Sequence, residues 1–374
     1  MKEKVFYLLH LCLFFSLYSC QEVTKDSSPV NYNVHTFYYS WYGIPEVDGS
    51  YNNWNHPIIP HWVDSTWNNL GSYPGGDDIG ANYFPQIGCY SSNDPKIIDL
   101  HMQQIRQSGI GVVAVSWWGK DSFSDKSIGT YLDIAHYYGL KIAFHIEPIY
   151  KTTEEFKAHL EYILDNYSEH PAFYKLNGKP FYYLYNSYKL NYHKWQSILK
   201  PDSISSIRNT PLDGIFISLW TLRKDGEFAL VSGFDGVYTY YASDGFHFGC
   251  TTSNWSDMAG YAKDNNLIFV PCVGPGYIDT RIRPWNEKNT RNRNKGQYYE
   301  KMFIKAINTN PDFIGITSFN EWHEGTQIEP AIPKKISSYT YEDYGENTDP
   351  YFYLKKTRAL ISEYEERVKS PPFD

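Results

Sequence analysis

Residues 313–330 read FIGITSFNEWHEGTQIEP. The first seven form an apolar run of strand length, and Asn320, Glu321, His323 and Glu324 follow at once, where a buried strand hands over to a loop. A run without polar alternation belongs to a strand covered on both faces, as in a parallel sheet dressed with helices. Seven runs of the same kind precede it: 35–41 (HTFYYSW), 111–117 (GVVAVSW), 141–147 (KIAFHIE), 180–185 (PFYYLY), 214–220 (GIFISLW), 234–240 (FDGVYTY) and 267–273 (LIFVPCV).

Helix patterns lie between them, such as 95–108, opened by Asn93 and Asp94, then 128–138, 154–167, 257–265, 297–308 and 351–368. Eight strands alternating with helices, and no Gly-x-Gly-x-x-Gly after the first, predict an α/β fold: one closed (β/α)8 TIM barrel spanning 33–374. The linkers 42–92 after strand 1 and 274–295 after strand 7 are long. Both leave the carboxyl end of a strand, where barrel sites are built, and both are rich in Trp, Asn, Asp, His and Arg, so they read as walls of a site.

The first twenty residues are of another kind: Lys2 and Lys4, an almost wholly apolar stretch over 5–17, then Tyr18-Ser19-Cys20. This is an export signal, too short to span a membrane. Its Leu-Tyr-Ser-Cys ending resembles a bacterial lipoprotein box, which would make Cys20 an acylated N-terminus and the chain's one attachment to a membrane, in the periplasm or on the outer surface. Residues 21–32 then read as a polar, flexible tether. The formal charge of −8 makes nucleic acid an improbable partner. Five widely spaced cysteines form neither a disulfide framework nor a zinc ribbon. A monomer is expected.

At the carboxyl ends of the strands stand Tyr38 and Tyr39, Trp117 and Trp118, His145 and Glu147, Tyr185 and Asn186, Trp220, Tyr240 and Tyr241, and Asn320, Glu321 and Glu324. With aromatics at 18% of the chain, such a face joins flat rings for stacking on sugars to carboxylates for acid and base work on a glycosidic bond. A metal site is the first competitor, but the zincin pattern needs two histidines at i and i+4, and His323 has no such neighbour. His56 and His61, flanked by prolines, suit hydrogen bonding from a loop. Helix capping is the plain alternative for the glutamates. One carboxylate could be used that way, whereas two at i and i+3 beside Asn320 favour chemistry.

HTFYYSWYG (35–43), WNHPIIPHW (54–62), DDIGANYFPQIGCYSSNDP (77–95), VSWW (115–118), HIEP (145–148) and TSFNEWHEGTQIEP (317–330) together resemble glycoside hydrolase family 99, the endo-α-mannosidases and α-mannanases, over roughly 35–365. The resemblance implies a retaining endo-hydrolase without metal or cofactor. It would cut an α-1,2-mannosidic bond in α-mannan or a mannose-rich N-glycan and release a disaccharide. It places the catalytic pair on Glu321 and Glu324, has Tyr38, Glu147, Tyr240 and Asn320 hold the cleaved sugar and Trp117 or Trp118 floor the next subsite, and directs Arg283 at sugar hydroxyls. It also implies a substrate-assisted route, in which the axial 2-hydroxyl of mannose attacks its own anomeric carbon, Glu321 acting as base and Glu324 as acid. A surface mannan-binding lipoprotein without activity, or an α-glucan hydrolase on the same barrel, are the other readings.

Overall fold

The computed structural model describes residues 29–61, 63, 64, 66, 70–344 and 349–369. The export signal with Cys20 and most of the tether lie outside the described residues, as do Trp62 and 370–374. The barrel strands are β1 (Asn31–Tyr39), β2 (Ile110–Trp117), β3 (Lys141–Ile146), β4 (Lys179–Leu184), β5 (Ile215–Leu219), β6 (Gly236–Tyr238), β7 (Ile268–Val270, resuming as Cys272–Val273) and β8 (Ile314–Ile316). All eight runs read from the sequence are strands. Asn31 and Tyr32, read as tether, belong to β1: Asn31 N–H donates to Gly109 O and Tyr32 Oη to Gly139 O.

Every neighbouring pair of barrel strands is parallel. Closure falls to β7, which changes partner at Pro271: Ile268–Val270 pairs with β6 and Cys272–Val273 with β8. Proline brings no backbone N–H, so the ladder is interrupted where the strand crosses from one neighbour to the other.

One helix follows each strand: α1 (Pro95–Gln107), α2 (Ile128–Tyr137), α3 (Thr153–Tyr167), α4 (Tyr192–Leu199), α5 (Asp225–Ser232), α6 (Trp255–Asp264), α7 (Gln297–Ile307) and α8 (Phe352–Lys369). Their starts are chemically marked. Asp94 accepts from Lys96 N–H with Pro95 at the first position, and Thr152 accepts from Glu155 N–H. α1 then buries Ile98, Met102 and Ile105, one apolar stripe at helical spacing, against the sheet.

The barrel interior is aromatic. By strand alternation His35, Phe37 and Tyr39 of β1 face inward, and the Phe37 ring lies 4.9, 5.2 and 5.7 Å from those of His145, Tyr183 and Tyr238. The long loops are tied down by buried cations. Arg293 sits among the rings of Tyr83, Tyr344 and Tyr353 at 4.5 to 4.7 Å, and Arg281 lies 3.9 Å from Tyr339 and 4.3 Å from Tyr73. A short antiparallel pair, Ala331–Ile332 with Phe84–Pro85, joins the loop after β1 to the segment after β8.

Candidate active site

The strands deliver one cavity of about 420 Å³ at their carboxyl ends. β1 contributes Tyr39 and, just beyond, Trp41. The ends of β2 and β3 contribute Trp118, His145 and Glu147, those of β4 and β6 contribute Tyr185, Asn186 and Tyr240, and the segment after β8 contributes Glu321, His323 and Glu324. The long loops close its sides with Asn53, His56, Ile282 and Arg283, and Lys189 stands at the edge. Tyr39 and Tyr240 hydrogen-bond through their hydroxyls across the floor. Tyr240 takes a φ of 56°, a left-handed conformation costing a non-glycine residue about 1–2 kcal/mol, and the Thr317 hydroxyl donates to its carbonyl. A larger groove lies between α3 and the amino ends of β4 and β5, where Lys179 pairs with Asp213, away from the carboxyl ends of the strands.

No helix starts at the two glutamates. Residues 322–325 form a turn, and among the described residues the next helix is α8, so helix capping does not account for either carboxylate. The turn is fixed by Ser318 Oγ, which accepts from Glu321 N–H at 2.7 Å, and by Ile278 N–H, which donates to Glu324 O at 2.9 Å. Gly325 makes the second contact possible. Its φ is +61°, and a Cβ there would lie 2.7 Å from Ile278 O. With no side chain in the way, the loop after β7 packs against the turn and brings Arg283 to Glu324, Nη1 to Oε1 3.1 Å. The same Nη1 also donates to Asp279 at 3.0 Å, and Asp279 is oriented by Tyr277 Oη at 2.8 Å and Asn286 Nδ2 at 2.9 Å.

Three carboxyls share this cavity, and all hold protons more tightly than usual. Burial pushes Glu321 up to about 8, opposed by the Arg283 charge; it pushes Glu147 up to about 8 against a hydrogen bond from Ser116, and Glu324 up to about 7, where Arg283 again opposes. Glu321 Oε1 accepts His323 N–H at 3.1 Å, and Glu147 Oε1 accepts Ser116 Oγ–H at 2.8 Å. Burial drives His56, His145 and His323 down to about 3, so all three are neutral rings. Among the described residues, no group of three His, Cys, Asp or Glu side chains is arranged to hold a metal ion.

Of the residues named from the sequence, Glu321, Glu324, Glu147, Tyr240, Arg283 and Trp118 come together around the cavity. Three do not line it. Tyr38 is the outward neighbour of Tyr39: its ring stacks on Phe319 at 5.7 Å and its hydroxyl donates to His101 of α1. Trp117 likewise points outward, fully buried beneath α3, with Nε1 donating to Asp125 at 2.8 Å. Trp118, 43% exposed, is the tryptophan at the cavity. Asn320 spends its amide on the β1 backbone, Oδ1 accepting from Tyr39 N–H at 2.7 Å and Nδ2 donating to Tyr39 O at 2.9 Å. Lys189 carried no sequence signal, while Trp41 was read only as the end of a strand run and Asn53 and Ile282 only as members of the long linkers. Tyr39, His145, Tyr185 and Asn186 carried one as members of the strand ends.

Comparisons with known proteins agree with this geometry. A family model described as Glycosyl hydrolase family 99 matches residues 29–366. "Glycoprotein endo-alpha-1,2-mannosidase" of Xenopus laevis is 48% identical over 355 residues, covering 91% of this chain and 79% of its own length, and the Mus musculus protein of that name is 46% identical with 91% and 76% coverage. The structure of the GH99 endo-alpha-mannosidase from Bacteroides thetaiotaomicron superposes with a TM-score of 0.87 at 41% identity, covering 90% of this chain and 98% of that one. On a match of this extent the chain belongs to glycosyl hydrolase family 99.

Proposed function

We propose that this enzyme is an endo-acting, retaining α-mannanase that cuts internal α-1,2-mannosidic bonds of branched α-mannan and releases a disaccharide, with Glu321 and Glu324 as its working pair. The observation that carries the reading is the turn itself: one buried and one partly exposed carboxyl, neither used as a helix cap, facing one aromatic-walled cavity and both raised toward neutrality.

The chemistry follows from mannose. Its axial 2-hydroxyl lies anti to an axial α-leaving group, so O2 can displace that group if a base takes its proton. Glu321 removes the proton from O2, O2 bonds to the anomeric carbon, and the glycosidic oxygen leaves with a proton from Glu324. Water, deprotonated by Glu324, then opens the 1,2-anhydro ring at the anomeric carbon, and O2 recovers its proton from Glu321. Two displacements at one carbon give net retention. An equatorial 2-hydroxyl, as in an α-glucan, cannot follow this path. Glu147, Trp118 and Tyr240 hold the sugars.

A second assignment exchanges the two roles. Arg283 pairs with Glu324 and favours its ionised form, whereas Glu321 has no cation in contact, so in the empty cavity Glu324 is the better base. For the first assignment the substrate must reorder the pair, its 2-hydroxyl stabilising ionised Glu321 by donating to it. An activated leaving group decides between them. A disaccharide fluoride needs no acid to depart, so the variant lacking the acid still releases fluoride in the first step, with its water step slowed, and the variant lacking the base does not. We expect Glu324→Gln to cleave the fluoride and Glu321→Gln to fail; the reverse outcome exchanges the roles.

The overall reaction is tested by proton NMR on α-mannan and, in parallel, on a mannose-rich N-glycan. Release of an α-configured disaccharide that mutarotates later supports the reading. Binding of mannan without release would make the protein a receptor. Faster release from the N-glycan would move the substrate toward that of the vertebrate relatives. The leader segment favours mannan outside the cell and a lipid at Cys20. Fatty-acid labelling that disappears in Cys20→Ala is the expected result.

A further inference from the structure

We propose that Glu329, the third glutamate of the segment that carries the pair, is a positioning residue whose carboxylate fixes the geometry of Glu321 and Glu324 from outside the cavity. The proposal rests on the reading of those two as the catalytic pair. Glu329 is 2% exposed and lies behind the turn, against α1. Its Oε2 accepts Trp322 Nε1–H at 2.8 Å and Tyr90 Oη–H at 2.8 Å, and its Oε1 faces His101 Nε2 at 3.1 Å. A carboxylate only accepts, so His101 carries its proton on Nε2 toward Glu329, and Nδ1, 2.8 Å from the Tyr38 hydroxyl, is left to accept from it. Three donors converging on two oxygens suit a carboxylate and leave an amide in the same place with one donor facing an N–H group.

Two arms run from this carboxylate to the cavity. The first is Trp322, fully buried and the residue next to Glu321 in the turn that ends at Glu324. Its only polar atom, the indole N–H, is shared between Glu329 Oε2 at 2.8 Å and the Tyr90 hydroxyl, itself bound to Glu329, at 3.3 Å, so the rotation of the indole, and with it the backbone between the two glutamates, follows Glu329. The second runs through Tyr90, whose hydroxyl oxygen accepts Asn320 Nδ2 at 3.3 Å. Asn320 grips the Tyr39 backbone, and Tyr39 lines the cavity and hydrogen-bonds Tyr240. One buried group thus registers both the acid–base turn and the aromatic floor. Tyr38, expected from the sequence in the cavity, is the far end of this chain.

The test is steady-state kinetics of the full chain on α-mannan, with a pH profile and a melting curve for each variant. Glu329→Gln is expected to fold, to lower kcat about 100-fold through misplacement of the turn, and to change KM far less, by about twofold, because Glu147 and Trp118 are untouched and Tyr240 is reached only at the far end of the second arm. The limbs of its pH profile shift, since Glu321 and Glu324 no longer share the same surroundings. Tyr38→Phe, at the end of the chain, lowers kcat only a few-fold in the same direction. A folded Glu329→Gln whose kcat and pH limbs match the wild type overturns the proposal, as does a loss confined to KM. If Glu329→Gln does not fold, Tyr90→Phe carries the test: a fall in kcat of about tenfold, with KM moving by no more than a few-fold as the floor shifts, supports the arm through Asn320, and an unchanged kcat overturns it. A wild-type chain inactive on every mannoside, or an active Glu321→Gln, overturns the catalytic reading and this proposal with it, whereas an active wild type with an unaffected Glu329→Gln overturns the positioning role alone.

Discussion

Residues 318–329 present glutamates to two sides of one loop, and the sides differ in how many donors meet the carboxylate. On the cavity side Glu321 and Glu324 have few, beyond backbone N–H groups and the one Arg283 contact to Glu324, and burial raises both toward neutrality. On the far side Glu329, just as buried, is met by a tryptophan, a tyrosine and a histidine. Taking a carboxylate out of water is costly unless hydrogen bonds replace the water. The far side replaces it with three side-chain donors; the cavity side supplies fewer, and under the proposed function the substrate hydroxyls are the groups that complete it.

The comparison breaks most directly through activity. Glu321→Gln or Glu324→Gln is expected to cut mannan hydrolysis by about 10³-fold or more, the scale of losing a positioned acid or base, as read in initial rates. Next in size is a contrast between neighbouring tryptophans. Trp117→Ala empties a fully buried site and should cost about 3–5 kcal/mol in denaturant unfolding. Trp118→Ala should leave stability within about 0.5 kcal/mol and raise KM several-fold through one lost stacking contact. Equal stability losses would mean that Trp118 is core and not cavity wall.

That contrast marks where the sequence stopped being legible. Strands buried on both faces are near-continuous apolar runs, which is why all eight could be read, and why none of them said which face a residue takes. Tyr38 and Tyr39, like Trp117 and Trp118, are equally apolar neighbours on opposite sides; only an anchor such as the inward Phe37 sets the parity. The helix patterns singled out did not include α4 and α5, eight residues each, too short for a full amphipathic stripe, and α5 is interrupted by Gly226. The two glutamates were legible because they end a strand. Their partner Arg283 reaches Glu324 across 41 positions through the space Gly325 leaves, and Glu329 meets His101 across 228. No local pattern encodes contacts of that range.

Arg283 sharpens the comparison on the cavity side. Its charge holds Glu321 and Glu324 below where burial alone would put them, so its removal raises both. The bell of kcat/KM against pH is expected to have its limbs near 7 and 8 in the wild type and to move alkaline by about one pH unit in Arg283→Met. The limbs belong to the pair and do not identify which glutamate is the base. A bell that stays in place would show that Arg283 serves the sugar and not the carboxyls.

The smallest effect concerns stability, and it separates the two sides of the loop by sign. A carboxyl raised by burial favours the folded chain while it keeps its proton. That contribution is fully present below the ordinary glutamate value near 4.3 and is lost as pH rises through the folded values of about 7 and about 8, because over that window the unfolded chain has released protons that the folded chain still binds. Glu321→Gln removes one such titration. Its melting temperature should match the wild type at about pH 4 and exceed it by about 2–4 °C at pH 8.5. Glu329→Gln removes an acceptor from three buried donors and should melt below the wild type at both pH values. If both variants melt lower at pH 8.5, the cavity-side carboxyls are as well satisfied as Glu329, and the division of the loop into a strained working side and a satisfied clamping side fails.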